Sequence, residues 1–129
     1  LQERLDTGID VMDVGCGRGE AILWLGQRFP QSRFVGYYFS PDGIEGAQRR
    51  AHSLGLANVR FEVRDVAILD EPATFDWITA FDAIHDQARP AEVLKAVRRS
   101  LRPNGIFLMQ DISSSSDLQE DRANPLAPF

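Results

Sequence analysis

Three glycines at every second position, Gly15, Gly17 and Gly19, follow an acid, Asp13, and enclose a small thiol, Cys16. Glycine has no Cβ, so such a stretch can take positive φ and let a ligand approach the main chain closely. The free N–H groups of a following helix would then point at that ligand. A pyrophosphate site of the dinucleotide kind needs Gly-x-Gly-x-x-Gly. Here the residue three after Gly17 is Glu20, whose carboxylate would repel phosphate. A second cluster, Phe81-Asp82-Ala83-Ile84-His85-Asp86-Gln87, sets a histidine among acids. An imidazole titrates near neutrality and can take a proton from a hydroxyl or amine; the simpler role for His85 is to line a cleft wall. His52 and His85 lie far apart in sequence on different elements, so no metal cluster is read, although the acids beside His85 would suit a weakly held cation.

These groups need elements to position them. Leu1 and Leu5 mark a last helical turn closing at Gly8, and Asp10 to Val14 reads as a buried strand. A helix from about Arg18 to Arg28, with Ala21, Leu25 and Phe29 as its inward stripe, is stopped by Pro30. Arg33 to Phe39 is a second strand, and Ser40-Pro41-Asp42 starts a helix that runs to about Leu54 before Gly55. Val59 to Arg64 alternates as a half-buried strand with Val59, Phe61 and Val63 inward, and 66–75 holds at most a short helix or loop. Phe75 to Phe81 forms a fourth strand. Pro90 opens a helix with Val93, Val97 and Leu101 in register, and Pro103-Asn104-Gly105 turns the chain into a fifth strand, Ile106 to Asp111. Residues 113–129 read as a loop or frayed segment. Strands alternating with helices imply a parallel sheet with right-handed crossovers, whose ligands bind at the strand carboxyl ends. The glycine loop, Tyr38, Asp65, Asp82 to Asp86 and Asp111 all fall at such ends.

The 129 residues suit one domain, and 14 Lys and Arg against 19 Asp and Glu leave a net charge of −5, which disfavours a nucleic-acid partner. Lys95, Arg98, Arg99 and Arg102 read as a solvated helix face. The single cysteine excludes an internal disulfide and fits a reducing compartment; inside the glycine loop it is not expected to act as a nucleophile. Apolar runs of about five residues are far too short to span a membrane, and the N-terminus has no secretory pattern, so a cytoplasmic protein without membrane partners is expected.

Asp13-x-Gly15-x-Gly17-x-Gly19 resembles motif I of the class I S-adenosylmethionine-dependent methyltransferases. Phe34-Val35-Gly36-Tyr37-Tyr38-Phe39-Ser40-Pro41, Arg64-Asp65-Val66, Phe75-Asp76-Trp77-Ile78 and Leu101-Arg102-Pro103-Asn104-Gly105-Ile106 follow as partial matches to its later motifs, in the right order. The resemblance covers roughly residues 9 to 112. The run Phe81 to Gln87, with Met109-Gln110-Asp111-Ile112, is similar to small-molecule methyltransferases that carry an extra N-terminal winged-helix-type domain. The resemblance implies an α/β fold, a Rossmann-like parallel sheet with helices on both faces, and S-adenosyl-L-methionine as cofactor with a small-molecule methyl acceptor. Asp13, Gly15, Cys16, Gly17 and Gly19 would border the methionine part, Tyr38 and Phe39 the ribose and adenine, and Asp65 and Val66 the adenine amino edge. Phe81 and Asp82 would begin the loop where methyl group and acceptor meet, with His85 and Asp86 as candidate catalytic groups facing the acceptor.

The family has an acid at the end of its second strand to hold the ribose; this chain has Tyr38 there. The family core also continues with two further strands, so residues 1–129 read as a single incomplete domain whose fifth strand is an edge open to self-association. A cofactor-binding or assembly module without catalysis is the alternative from another class. A nicotinamide-dependent oxidoreductase is a third reading, opposed by Glu20.

Overall fold

The computed structural model describes residues 1–112, and the segment 113–129 read above as a loop lies outside the described residues. The elements run α1 (Gln2–Thr7), β1 (Asp10–Val14), α2 (Glu20–Arg28), β2 (Arg33–Tyr38), α3 (Pro41–Ser53), β3 (Val59–Val63), a 3₁₀ turn (Val66–Ile68), β4 (Phe75–Phe81), α4 (Pro90–Ser100) and β5 (Leu101–Gln110). The five strands form one parallel sheet in the order β3-β2-β1-β4-β5. All carboxyl ends therefore share one edge, and the order reverses between β1 and β4.

Period-two alternation sends neighbouring side chains to opposite faces, and both faces are covered. Val11, Phe34, Phe61 and Trp77 pack under α2 and α3 with Ile22, Leu25, Phe29, Ile44 and Ala47. Met12, Val14, Val35, Tyr37 and Ile78 pack under α4 and the 3₁₀ turn with Val66, Leu69, Val93 and Val97. The start of α3 follows its cap: the Ser40 hydroxyl accepts from the Gly43 N–H, with Pro41 at the first helical position.

Four expectations are corrected. The second helix begins at Glu20 rather than Arg18, because Gly19 at φ 78 is left-handed and cannot join it. Its buried residues are Ile22, Leu23, Leu25 and Gly26, with Phe29 buried at the C-cap, while Ala21 is only partly buried. Val63 is 49% exposed, because β3 is an edge strand and α3 covers it only as far as Phe61. The fifth strand begins at Leu101: Phe75 pairs with Leu101 and Trp77 with Ile106, so the Pro103-Asn104-Gly105 turn sits inside β5 as an irregularity, with Asn104 at φ 63. Among the described residues β5 is the opposite edge, with Ile106, Leu108 and Met109 exposed.

Arg102 is therefore on a strand and not on the helix face read from spacing. Its guanidinium donates to Asp76 at 2.7 Å and to Asp10 at 2.9 Å. Asp76 also accepts from the Asp10 N–H at 3.0 Å and pairs with Arg4, and Arg33 clasps Asp10 with two hydrogen bonds. The network ties α1, β1, β2, β4 and β5 together at the amino end of the sheet, away from the glycine loop. Arg33 first, with Arg102, holds the Asp10 carboxyl below its ordinary value against the opposing effect of burial. Its stabilising effect is thus present above the unfolded value near 3.8 and lost as pH falls through the lower folded value. Asp76→Ala leaves the Asp10 N–H and two guanidiniums short of an acceptor; urea unfolding should show a loss of about 1–3 kcal/mol.

Candidate functional site

The turn from β1 to α2 is shaped by how little room it has. Gly15, Gly17 and Gly19 all take positive φ, at 70, 53 and 78. An added Cβ at Gly15 would lie 2.6 Å from the Ala83 Cβ, and one at Gly19 2.5 Å from the Phe61 ring. Gly36 is equally constrained, since its Cβ would meet the Cys16 Sγ at 2.7 Å. Around Gly17 no atom beyond its own chain neighbours lies within 4 Å of the corresponding position. Two of the three loop glycines are thus needed for packing, and Gly17 is the one that faces open space, where a ligand can meet the bare main chain.

Beneath the loop, Asp13 is 4% exposed and accepts the Thr79 hydroxyl at 2.7 Å across the β1–β4 pair. Burial pushes its carboxyl up to about 7, with the Thr79 hydrogen bond opposing. Burial, with the Asp13 charge adding to it, pushes the Cys16 thiol up to about 12. Cys16 is therefore a packed thiol, as its place in the loop suggests. Asp13 and Gly19 are buried in the loop, while Gly15, Cys16 and Gly17 are partly exposed.

The other expected residues gather beside this loop. Gly15, Tyr38, Phe39, Asp65, Val66 and Gln87 line a cleft of about 30 Å³. Tyr38 replaces the acid of the family pattern, and its ring lies over the first turn of α3, where a Cβ on Gly43 would come within 2.9 Å of it. Phe39 is 64% exposed and tilted against Tyr38, with ring centroids 4.6 Å apart. Asp65 caps the 3₁₀ turn by accepting the Ala67 N–H at 2.9 Å, and its second oxygen accepts from Arg89 at 2.7 Å. Asp42 points elsewhere, into a larger groove of about 500 Å³ with Arg18, Arg49 and Arg50. Glu20 is paired with Arg50, which lowers its carboxyl. Glycine spacing, more than free negative charge, therefore disfavours a pyrophosphate at this loop.

At the end of β4, Phe81 is exposed, and Asp82 turns the chain at φ 53. His85 follows, with Nδ1 2.5 Å from the Asp111 Oδ1 and Nε2 3.2 Å from Asp86. The other Asp111 oxygen accepts the His85 N–H at 3.1 Å, so the end of β5 grips both backbone and ring. Asp111 foremost, then Asp86 and Asp82, raise the imidazole above its ordinary 6.5. Asp82, His85 and Asp111 also offer ligand atoms within 4.8 Å of one another, so Asp111 joins the acids beside His85 that would suit a weakly held cation. Strand-end position had marked Asp111, but nothing in the sequence marked Arg89 as a partner of Asp65.

The two kinds of glycine separate experimentally. Gly19→Ala combines left-handed strain with a clash and should cost about 2–4 kcal/mol in urea unfolding, whereas Gly17→Ala should cost only about 1–2 kcal/mol.

A family model described as a methyltransferase domain matches residues 5–125. The fatty-acid O-methyltransferase of Mycolicibacterium smegmatis is 33% identical over 123 residues, which is 95% of this chain and 44% of that protein. Among solved structures, the YcgJ protein of Bacillus subtilis superposes with a TM-score of 0.81 at 27% identity, over 90% of this chain and 49% of its own. The [4+2]-cyclase SpnF does so with a TM-score of 0.81 at 25% identity, over 87% and 42%. The chain spans less than half the length of the curated relatives it matches. With the parallel sheet, the glycine loop at its switch point and a family match over nearly all its length, the chain belongs to the class I S-adenosylmethionine-dependent methyltransferases.

Proposed function

We propose that this chain binds S-adenosyl-L-methionine at the carboxyl ends of β1, β2, β3 and β4 and supports methyl transfer to a small-molecule acceptor. The observation that carries the reading is Gly17, open where its neighbours are packed, next to a cleft holding Asp65, Val66 and Tyr38. The donor set fits such a cofactor. Bare main chain at Gly17 admits a polar zwitterionic end, the Asp65 carboxylate can accept an exocyclic amine, and Val66 offers an apolar wall. When bound, the cofactor supplies an activated methyl group on a sulfonium, so that the chain's own work is positioning.

On this reading Gly15 and Gly17 hold the amino-acid end, Tyr38 and Phe39 flank the ribose and adenine, and Asp65 reads the adenine edge. Tyr38 offers one neutral hydroxyl where the family pattern has a carboxylate. A charge-assisted hydrogen bond is worth about 1.5–3 kcal/mol, so binding should be roughly ten- to a hundredfold weaker than with an acid there. Phe81 and Asp82 border the acceptor side. His85, held by Asp111 with Asp86 at its other nitrogen, can take the proton that an acceptor hydroxyl or amine gives up. A small-molecule acceptor is supported by relatives named as fatty-acid and trans-aconitate methyltransferases. Among the described residues, no helix is long and apolar enough to cross a membrane.

The second reading, the methyltransferase fold without methyl transfer, is favoured by Tyr38 and by likeness to a structure named as a cyclase. Calorimetric titration with S-adenosylhomocysteine tests the cofactor site: the chain should bind, and Tyr38→Asp should bind about ten- to a hundredfold more tightly. No binding by either form contradicts the proposal. Histidine NMR titration tests the base: His85 should titrate above 6.5, and Asp111→Asn should move it down. Because the folded value is raised, this pair stabilises the fold fully below the unfolded value and loses its effect as pH rises through the folded one. A His85 that titrates at its ordinary value would remove Asp111 from the site.

A further inference from the structure

Asp65 is the carboxylate that the cofactor reading assigns to the adenine edge, yet neither of its oxygens is without a partner. One accepts the Ala67 N–H at 2.9 Å and thereby caps the 3₁₀ turn; the other accepts from the Arg89 guanidinium at 2.7 Å. Arg89 stands just before α4, at the end of the segment that leaves β4 through Asp82. The same segment lays Ala83 on Gly15, and its Gln87 lines the cleft, held by hydrogen bonds back to Ile84 and Ala83. The pair thus draws the segment from β4 to α4 across to the end of β3.

The cleft measures about 30 Å³, room for roughly one water. Small-molecule sites run to roughly 300–1,000 Å³. Arg89 does not line this cleft; its exposed side chain sits on the outward Asp65 oxygen, so an adenine edge there competes with it for that oxygen. The ion pair is 52% and 49% exposed at its two side chains, which makes it weak enough to open. Once released, Arg89 has another acid within electrostatic reach in Glu92, on the first turn of α4.

We infer that Arg89 is a latch on the cofactor site: it holds the outward oxygen of the Asp65 carboxylate in the free chain and competes with the adenine for it. This rests on the cofactor reading above and adds a residue that sets affinity by competition. The latch lowers affinity, whereas a guanidinium that stacked on bound adenine would raise it. Competition through an exposed ion pair also carries a signature in salt. Screening weakens the Arg89–Asp65 pair, while the zwitterionic S-adenosylhomocysteine gains or loses little of its own attraction.

The test is calorimetric titration of the chain, Arg89→Ala and Arg89→Gln with S-adenosylhomocysteine, at about 0.05 M and about 0.5 M salt. Both variants should bind about two- to fivefold more tightly than the parent at low salt, the range an exposed ion pair allows. The parent should tighten as salt rises, and the variants should not. Equal or weaker binding by both variants overturns the latch and leaves the cofactor site standing. Binding by none of the three overturns the cofactor reading and the latch with it.

Discussion

The close packing of the glycine loop against its neighbours is the constraint on which the rest of the structure depends. Gly15 admits Ala83, Gly19 admits the Phe61 ring, and Gly36 admits Cys16, each at distances a Cβ would close. Those contacts bring the end of β1 against the β4 segment, β3 and β2 at once, so the loop is the joint at which the strand ends converge. Entropy lost by fixing glycines is the cost of that joint. Gly17 carries the same cost without the packing return, and that difference separates a ligand-facing position from a merely tight turn.

Charge is distributed along the sheet in a way that follows from this geometry. At the amino end, Arg4, Arg33 and Arg102 neutralise Asp10 and Asp76 in one network, which locks the strands together where no ligand is needed. At the carboxyl end the acids outnumber their partners: Asp82, Asp86 and Asp111 surround a single imidazole. An acidic edge suits a cofactor whose reacting centre is a cation. It also sets the proton affinity of His85, through a contact between β5 and the segment after β4 that joins the two strands on one side of the switch point.

Much of this was legible in the residues. The bounds of β1 and β4 follow from apolar runs that stop at Gly15 and at Asp82, and Ser40-Pro41 fixes the start of α3 through capping alone. Reading failed where a tertiary contact overrode a local pattern. Gly19 carries a φ that sequence does not display, and the apolar spacing alone lets the helix start at Arg18. Val63 alternates correctly but lies where no helix reaches, and Arg102 keeps helical spacing with Arg98 although the helix has ended. In the candidate site, the strand-end rule found Asp65 and Asp111. It could not show that Arg89, a charge before a proline, closes on Asp65, because that contact depends on the path of the segment from Asp82 to Arg89.

The most direct measurement of the central claim is amide NMR of the chain during titration with S-adenosylhomocysteine. The account predicts shifts concentrated at Gly15 to Gly19, Tyr38 and Phe39, Asp65 to Ala67 and Ala83 to Arg89, with the amino-end network around Asp10 and Asp76 unmoved. Shifts centred instead on the groove of Arg18, Asp42 and Arg49, or no shifts at millimolar ligand, would contradict a cofactor site built on the open face of Gly17.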